Sequence, residues 1–243
     1  MKEKLREEID VSDTKDKIIW NIPGLITKWP GTAFIAGSSG SGKGFWICNT
    51  ILRHWRAVGA FNRRHVFYIT PELQEDVTLG IIRDVEKYEY FFHGIDVSFQ
   101  AFEDSGQSRE QFFLERVRNV VRDQKDALII LDDFQDSAIP SHLRRYGDRL
   151  LRTGRHSGLS TWMVQHSLRN SSFSRQAVQS CKHIILFARS QRGKVQDFLK
   201  DSVGMSLSVA KDLTKTMAKS GRSAILRMHS PMAVVTETFV KLL

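Results

Sequence analysis

The sequence predicts an α/β protein: a three-layer sandwich with a mostly parallel central sheet and an extra C-terminal β-hairpin. Short apolar segments alternate with segments of helical periodicity along its 243 residues, which is typical of strands joined by crossover helices. One of these segments, 127–131, is apolar at every position, as expected for a parallel strand covered on both faces. A glycine-rich loop separates the first predicted strand from the first predicted helix.

The predicted elements follow one another with short connections. The first helix, over 45–56, carries apolar residues near helical spacing that we interpret as core rather than as a platform for a nucleotide base. Further helices are expected over 76–90, after the capping box of Ser108 and Gln111, and from Pro140. Strands are expected over 32–36, 65–70, 96–102, 127–131, 159–165 and 183–188, and the hairpin over 223–228 and 233–240, with a turn at His229, Ser230 and Pro231.

Residues 1–30 are predicted to form an N-terminal arm, and residues 31–243 a single domain. The arm begins with charged residues and lacks the apolar core of a signal peptide. No apolar run reaches the length needed to span a bilayer, so no membrane span is expected. Cys48 and Cys181 are the only cysteines, too few for a disulfide framework or a metal cluster, and they fit a reduced intracellular setting.

The glycine-rich loop fits the phosphate-binding pattern G-x-x-x-x-G-K. It follows an apolar strand and opens a helix, which is the context that the pattern requires. Its glycines let backbone N–H groups surround a phosphate, and the helix N-terminus adds partial positive charge. A plain turn between strand and helix is the alternative interpretation. The predicted nucleotide-binding residues are Gly37, Ser38, Ser39, Gly40, Ser41, Gly42, Lys43 and Gly44, with Lys43 reaching the β- and γ-phosphates.

Gly44 departs from the usual pattern. A Ser or Thr ordinarily follows the lysine, and its hydroxyl ligates Mg²⁺. A serine elsewhere in the loop, or a water molecule, has to take that place if metal-bound nucleotide is to bind well. The motif therefore predicts a nucleotide site more strongly than it predicts an efficient one.

Two adjacent carboxylates follow the apolar strand 127–131. An acid at the carboxyl end of such a strand can hold Mg²⁺ beside nucleotide phosphates, and we assign Asp132 to the metal. The next residue, Asp133, is placed to orient or deprotonate the attacking water. Such a pair, after a phosphate loop and an inserted strand, is typical of P-loop ATPases that perform mechanical work. The cofactors expected are ATP and Mg²⁺.

A polar residue, Gln165, ends the predicted strand 159–165. In ATPases of this branch, the strand beside the acidic one carries a polar sensor of the γ-phosphate, and Gln165 is the candidate. The alternative is a glutamine that satisfies backbone groups at the end of a strand.

Basic residues are concentrated in one segment of the chain. The net charge is +9, and residues 140–194 hold eleven of the 36 basic residues but only one of the 27 acidic residues, so the rest carries 25 basic and 26 acidic groups. Such concentration is typical of a surface that binds a polyanion, although a solvated surface is the alternative. The DNA-binding candidates are Arg144, Arg145, Arg149, Arg192 and Lys194.

The helix from Pro140 carries arginines on one face. Arg145, Arg149 and Arg152 are spaced i, i+4 and i+7, and Arg155 follows. An arginine from a neighbouring subunit can stabilise the charge that develops on a transferred phosphoryl group. Arg155 and Arg152 are the candidates for that catalytic role, and contact with DNA phosphates is the alternative for the stripe.

These motifs together resemble the poxvirus-type genome-packaging ATPases, within the FtsK/HerA superfamily of DNA-pumping motors. The resemblance rests on the loop 37–43, the strand and acids 128–133, the segment 151–160 and Gln165. It implies a RecA-like P-loop ATPase that assembles as a pentameric or hexameric ring and threads double-stranded DNA into a preformed capsid. The implied partners are duplex DNA, further copies of the chain and the capsid or portal vertex, at sites of virion assembly inside the host cell.

Two other functions remain open at this point. The first is another P-loop motor, of the helicase or AAA type. Helicases that act on single strands often stack bases on aromatic side chains, and the basic segment is poor in them. The second is a nucleotide-binding scaffold with weak hydrolysis, which Gly44 favours and the pair Asp132 and Asp133 opposes.

Overall fold

The computed structural model describes residues 8–10, 31–58, 64–168, 178–228 and 232–243. They fall into two compact units. The central unit holds residues 31–32, 43–58 and 64–164, and the terminal unit holds residues 8–10, 33–42 and the described residues from 165 onward.

The strands and helices are numbered here in chain order. The strands are β1 (Glu8–Asp10), β2 (Thr32–Ala36), β3 (Val66–Thr70), β4 (Phe92–Asp96), β5 (Leu128–Asp132), β6 (Ser160–Gln165), β7 (His183–Leu186), β8 (Ala224–Arg227), β9 (Ala233–Val235) and β10 (Phe239–Leu242). The helices are α1 (Lys43–Val58), α2 (Gly80–Arg83), α3 (Glu86–Glu89), α4 (Phe99–Ser105), α5 (Arg109–Phe113), α6 (Asn119–Arg122), α7 (Pro140–Thr153), α8 (Arg192–Asp201) and α9 (Leu207–Ser220).

The central unit is built on parallel strands in the order β6-β5-β3-β4. In the middle of these strands Tyr68 pairs with Ile130, and Ile130 pairs with Trp162. Every residue of β3 and β5 is buried. The unbroken apolar run predicted as a buried parallel strand is therefore confirmed, and it delivers Asp132 to the carboxyl end of β5.

The terminal unit combines one parallel pair with antiparallel strands. β2 runs parallel to β7, whereas β7, β8, β9 and β10 pair antiparallel in that order and β1 joins β10. The predicted α/β class, with mostly parallel strands and extra C-terminal antiparallel strands, is confirmed. Of the predicted arm 1–30, Glu8–Asp10 forms β1, and the rest lies outside the described residues.

The C-terminal hairpin differs from its prediction in one respect. The segment 233–240, expected as a single strand, is divided into β9 and β10. Thr236 causes the division, because its Oγ1 accepts a hydrogen bond from the backbone N of Phe239 at 3.1 Å and closes a turn. The predicted turn at 229–231 lies outside the described residues.

The strand predicted over 96–102 is wrong. Its alternating apolar residues resemble a strand, but the Ser98 hydroxyl accepts a hydrogen bond from the backbone N of Ala101 at 3.1 Å and caps the helix α4. The strand is instead β4, which ends at Asp96. A side-chain cap thus outweighs a short period-two pattern.

The helix predicted over 76–90 is also wrong in its extent. The segment contains two single turns of helix, α2 and α3, because Val85 between them is extended with φ −111° and ψ 106°. Before α2, the Asp76 side chain accepts a hydrogen bond from the backbone N of Thr78 at 2.7 Å and organises a turn.

The capping box of Ser108 and Gln111 is confirmed at the start of α5. A π-helical turn over Leu114–Arg118 then joins α5 to α6. Phe112, Val117 and Val121 are buried, and the extra residue in the π turn is what keeps the first two on one face. Val120, which is apolar and next to Val121, is exposed.

The helix α1 places its apolar residues as predicted. Ile47, Ile51 and Trp55 are fully buried, and the half-buried Trp46 packs against Trp162, with ring centroids 5.8 Å apart. No helix in the described part of the chain is both long enough and apolar enough to cross a bilayer.

Candidate nucleotide site

The predicted phosphate loop belongs to the terminal unit and leads directly into α1 at Lys43. Gly40 and Gly42 have φ angles of +71° and +98°, a region that L-residues with side chains rarely adopt. A Cβ on Gly37 would lie 2.9 Å from Cδ2 of Phe187, so the chain passes too close to that ring for any other residue. The glycines are thus required by the shape of the loop, as expected for a loop that surrounds a phosphate.

Gln165 lies beside the first residue of the loop. The backbone N of Gly37 donates a hydrogen bond to the carbonyl of Gln165 at 3.1 Å, and Gln165 is buried. The structure therefore brings the predicted sensor to the phosphate loop, while its role as a sensor stays a prediction.

Arg222 is a residue near the loop that the sequence did not indicate. Its Nη1 lies 3.7 Å from the point that a Cβ on Gly42 would occupy. The arginine is exposed and lies in the loop between α9 and β8. No local motif surrounds it, so only the fold identifies it.

Lys43 is the first residue of α1 and is only 8% exposed. Its positive charge lowers the pKa of both Asp132 and Asp133. The central unit therefore holds Lys43 close enough to the two carboxylates for their charges to interact. This arrangement is the one expected when a phosphate loop is combined with acids at the end of a neighbouring strand.

Asp132 is buried at the end of β5. The hydroxyl of Tyr68 donates a hydrogen bond to its Oδ2, whereas its Oδ1 is buried without a hydrogen-bond partner among the described residues. Burial, followed by the neighbouring charge of Asp133, raises the pKa of Asp132 to about 7. Tyr68 orients this carboxylate, and the sequence offered no signal for it beyond a place in a predicted strand.

Asp133 adopts a strained backbone conformation, with φ +43°. Left-handed geometry costs a side-chain-bearing residue about 1–2 kcal/mol, and such strain is often found at functional sites. Burial raises the pKa of its carboxyl to about 6, against the attraction of Lys43. A carboxylate with a pKa near the working pH suits proton transfer from a water molecule.

The donor set at the end of β5 fits Mg²⁺. Asp132 presents a buried, unpartnered carboxylate oxygen, and hard oxygen ligands are those that Mg²⁺ prefers. Among the described residues, no three His, Cys, Asp or Glu side chains converge into a closed metal cluster. In nucleotide sites Mg²⁺ usually takes one or two protein carboxylates, and phosphates and water complete its shell.

The predicted basic residues lie on exposed surfaces. Arg144, Arg145, Arg149 and Arg152 are exposed on α7, and Arg155 is exposed in the turn that follows it. In the terminal unit Arg192 and Lys194 are exposed in the first turn of α8, and the Lys194 ammonium donates to the Ser167 hydroxyl at 3.2 Å.

A glycine-shaped loop before a helix, a lysine at the helix start and a buried acid at a strand end define a P-loop nucleotide-binding protein. A comparison with protein families then gives the particular family. The profile described as "Poxvirus A32 protein" matches residues 26–225, and the chain belongs to this family. The resemblance stated from the sequence motifs is thereby confirmed. No curated protein sequence is significantly similar to the chain.

Solved structures share the fold at low sequence identity. The genome packaging NTPase B204 from Sulfolobus turreted icosahedral virus 2 in complex with AMP is 13% identical, with a TM-score of 0.56 over 85% of this chain and 96% of that chain. The same protein in complex with ATP-gammaS is 11% identical, with a TM-score of 0.53 over 86% and 97% of the two chains. In complex with AMPPCP it is 12% identical, with a TM-score of 0.54 over 88% and 98%.

Proposed function

We propose that this chain is an ATPase that moves double-stranded viral DNA into a preformed capsid. Membership of the Poxvirus A32 protein family supports the proposal, and the fold shared with the B204 packaging NTPase agrees with it. The proposal includes a pentameric or hexameric ring that acts at the capsid or portal vertex, at sites of virion assembly inside the host cell.

One observation carries the proposal of hydrolysis. Lys43, Asp132 and Asp133 interact within the central unit, and the two carboxylates are withdrawn from water. Two adjacent acids with raised pKa values are costly to a folded chain unless a cation or a proton-transfer step uses them. A site that only bound nucleotide would need no such pair.

Each residue has a distinct task in the proposed reaction. Lys43 and the backbone N–H groups of the loop would hold the phosphates. Asp132, oriented by Tyr68, would hold Mg²⁺, which neutralises charge on the β- and γ-phosphates when it is bound. Asp133 would orient the attacking water and accept its proton, and Gln165 would contact the γ-phosphate.

The exposed arginines would act between molecules. Arg155, or Arg152, would reach the site of a neighbouring subunit and stabilise the charge that develops as the phosphoryl group is transferred. Arg144, Arg145 and Arg149, with Arg192 and Lys194, would contact DNA phosphates, which supply affinity without sequence preference.

Turnover assays with different nucleic acids test the proposal. We expect ATP hydrolysis that duplex DNA stimulates more than single-stranded DNA does, because no aromatic side chain of α7 other than Tyr146 is available for base stacking. Stronger stimulation by single strands would favour a helicase. ATP binding without turnover under all conditions would favour the scaffold.

A Lys43→Ala variant tests the nucleotide site itself. This substitution removes the buried positive charge at the start of α1, so we expect calorimetry to show that ATP binding is lost. The Lys200→Ala variant, which changes an exposed lysine on α8, is the control. Unchanged ATP affinity in the Lys43→Ala protein would overturn the assignment of the phosphate loop.

A further inference from the structure

The position that usually supplies a metal-binding hydroxyl, Gly44, faces a carboxylate from another part of the central unit. A Cβ built on Gly44 would lie 3.6 Å from Oδ2 of Asp76 and 3.6 Å from Cβ of Thr78. A serine or threonine side chain would begin at this point. An acidic oxygen therefore already lies next to the space that the missing hydroxyl would enter.

The local structure holds Asp76 in this place. Its Oδ1 accepts a hydrogen bond from the backbone N of Thr78 at 2.7 Å. The carbonyl of Thr78 in turn accepts a weak hydrogen bond from the Cys48 thiol of α1 at 3.6 Å. The turn before α2 is thus attached to the first part of α1, and Asp76 Oδ2 accepts no hydrogen bond from the described residues.

A second carboxylate oxygen without a partner belongs to the same site. Asp132 Oδ1 is buried and makes no hydrogen bond among the described residues, although Tyr68 satisfies Oδ2. Asp76 lies close enough for its charge to disfavour ionisation of Asp132. The two carboxylates come from distant parts of the sequence and repel each other, and a cation held between them would remove this repulsion and bind the buried Oδ1 of Asp132.

We propose that Asp76 supplies the Mg²⁺-binding oxygen that Gly44 lacks, so that Asp76 and Asp132 hold the metal of this nucleotide site from two sides. This inference rests on the proposed ATPase function. The proposal also explains why position 44 is a glycine. A hydroxyl at this position would lie against Asp76 Oδ2 and donate a hydrogen bond to this oxygen, which would then be less available to the metal. The competing ligand is the loop hydroxyl of Ser41, which is also buried without a hydrogen-bond partner among the described residues.

The exchange of a hydroxyl for a carboxylate has a consequence for nucleotide binding. A carboxylate binds Mg²⁺ more strongly than a neutral hydroxyl does, but it repels the phosphates of metal-free ATP. The site should therefore discriminate strongly between Mg·ATP and free ATP. Removal of the charge at Asp76 should weaken the binding of Mg·ATP and leave the binding of metal-free ATP unchanged or tighter. A purely structural role of Asp76 would not change the two affinities in opposite directions.

The Asp76→Asn variant is the direct test, because an Asn side chain can still accept the hydrogen bond from Thr78 while it loses the charge. ATP affinity is measured by calorimetry in excess Mg²⁺ and in chelator, followed by a Mg²⁺ titration at fixed ATP. Loss of an outer-shell residue that only orients a ligand costs roughly 10–100-fold in metal affinity, and Asp76 is proposed as a ligand itself, so we expect half-saturation at Mg²⁺ higher by at least this factor. Glu75→Gln, at the exposed acid next in sequence, is the matched control and should resemble the unaltered chain.

Two further variants separate the possible sources of the ligand. Gly44→Ser in the Asp76→Asn background should restore part of the Mg²⁺ affinity, since the hydroxyl then has no carboxylate to bind. Ser41→Ala removes the competing loop hydroxyl, and the inference requires that this variant lose less Mg²⁺ affinity than Asp76→Asn does. Circular dichroism melting of each variant checks that it is folded.

The outcomes distinguish this inference from the proposed function. An Asp76→Asn protein that needs no more Mg²⁺ than the unaltered chain would overturn the inference and leave the ATPase assignment intact. A loss of Mg²⁺ affinity in Ser41→Ala that exceeds the loss in Asp76→Asn would also overturn it, in favour of the loop serine. Failure of the unaltered chain to bind ATP, with or without Mg²⁺, would instead overturn the proposed function.

Discussion

The end of strand β5 and the helix α7 are close in sequence and belong to the same unit, yet they are built in opposite ways. Asp132 and Asp133 are withdrawn from water, which raises the pKa of both carboxyls. The arginines of α7 are exposed, while Leu143 and Leu150 on the same helix are buried. The acids destabilise the folded chain until a cation or a proton relieves them, and the arginines bear no such penalty.

This contrast separates two kinds of function. A buried, strained and charged group has to act within its own chain, because only small partners reach it. Exposed cations on a helix act on something outside the chain, either a neighbouring subunit or a polyanion. The predictions below test this division, beginning with the largest expected effect.

The largest effect is expected from Arg155→Ala. The guanidinium would help only as the γ-phosphoryl charge develops, so ATP binding should be retained and kcat should fall. Arginines of this kind contribute on the order of 10³–10⁵ in rate. Steady-state ATPase assays measure the loss, and Arg122→Ala, at an exposed arginine of α6 outside the basic segment, is the control.

Mixed assemblies reveal which chain Arg155 serves. A Lys43→Ala subunit lacks a working site but still offers Arg155, whereas an Arg155→Ala subunit keeps its own phosphate loop. Rings that contain both variants should recover activity wherever the two meet in the right order. Mixed rings that form but stay inactive at every ratio would show that Arg155 does not act on the site of a neighbouring subunit. The exposed arginines would then not differ from the buried acids in the way proposed here.

The second effect concerns Asp133. Asp133→Asn should keep ATP binding and lose about 10²–10⁴ in kcat, the usual contribution of a general base. Because the carboxylate acts in its ionised form, kcat/KM of the unaltered chain should fall as the pH drops through about 6, the raised pKa of Asp133 in the free chain. The measurement is a pH profile of kcat/KM for Mg·ATP.

A glycine variant adds a control on the strain at Asp133. Asp133→Gly relieves the positive φ angle. Near pH 4, where the buried carboxyl of the original chain is protonated, the variant's free energy of unfolding should stay within about 1 kcal/mol of the original value, and at the assay pH turnover should be lost. A large loss of stability in Asp133→Gly would show that the side chain holds the fold rather than the water.

The third effect is a gain of stability in Asp132→Asn without Mg²⁺ or nucleotide. Burial raises the pKa of Asp132 to about 7, so the folded chain keeps a proton that the unfolded chain releases near pH 4. The unaltered chain therefore loses stability as the pH rises from about 4 to about 7, and the loss is complete above that window. The Asn variant avoids it, and we expect a gain on the order of 2–4 kcal/mol at pH 8 that disappears near pH 4.

Denaturant melts at several pH values measure this gain. Asp123→Asn, at an exposed acid after α6 with a negative φ angle, removes the same charge elsewhere and is the control. A gain that is equal at pH 4 and pH 8 would mean that packing, and not ionisation, sets the stability of this region.

The sequence predicted the parts of the site that depend on local chemistry. The loop glycines, Lys43 and the acids after β5 were identifiable because strand, turn and helix each impose their own residue types over a few positions. The capping box at Ser108 was identifiable for the same reason. The roles of Asp132 and Asp133 remain predictions, and the structure gives their burial and charge.

The parts that sequence could not supply depend on contacts between distant segments. In the sequence, Tyr68 is an ordinary residue of a predicted strand. Only the pairing of β3 with β5 shows that its hydroxyl contacts Asp132. Asp76 was assigned to a helix, and only the turn that replaces this helix brings its carboxylate to Gly44. The incorrect strand over 96–102 has a different origin, since the single cap at Ser98 outweighs an alternating pattern of similar length.

The smallest effect concerns the outward face of α7. Each phosphate contact releases counterions, so the logarithm of the DNA affinity falls with the logarithm of salt concentration by a slope of about 0.9 per contact. The double variant Arg145→Ala and Arg149→Ala should lower that slope by about 2 and weaken binding to all duplex sequences alike. ATP binding should be unchanged, because both arginine side chains are exposed on α7. Fluorescence anisotropy over a range of salt, with Arg122→Ala as the control, measures the slope. An unchanged slope together with a loss of turnover would assign this face of α7 to the contact between subunits, and the outward surface would then serve hydrolysis rather than DNA.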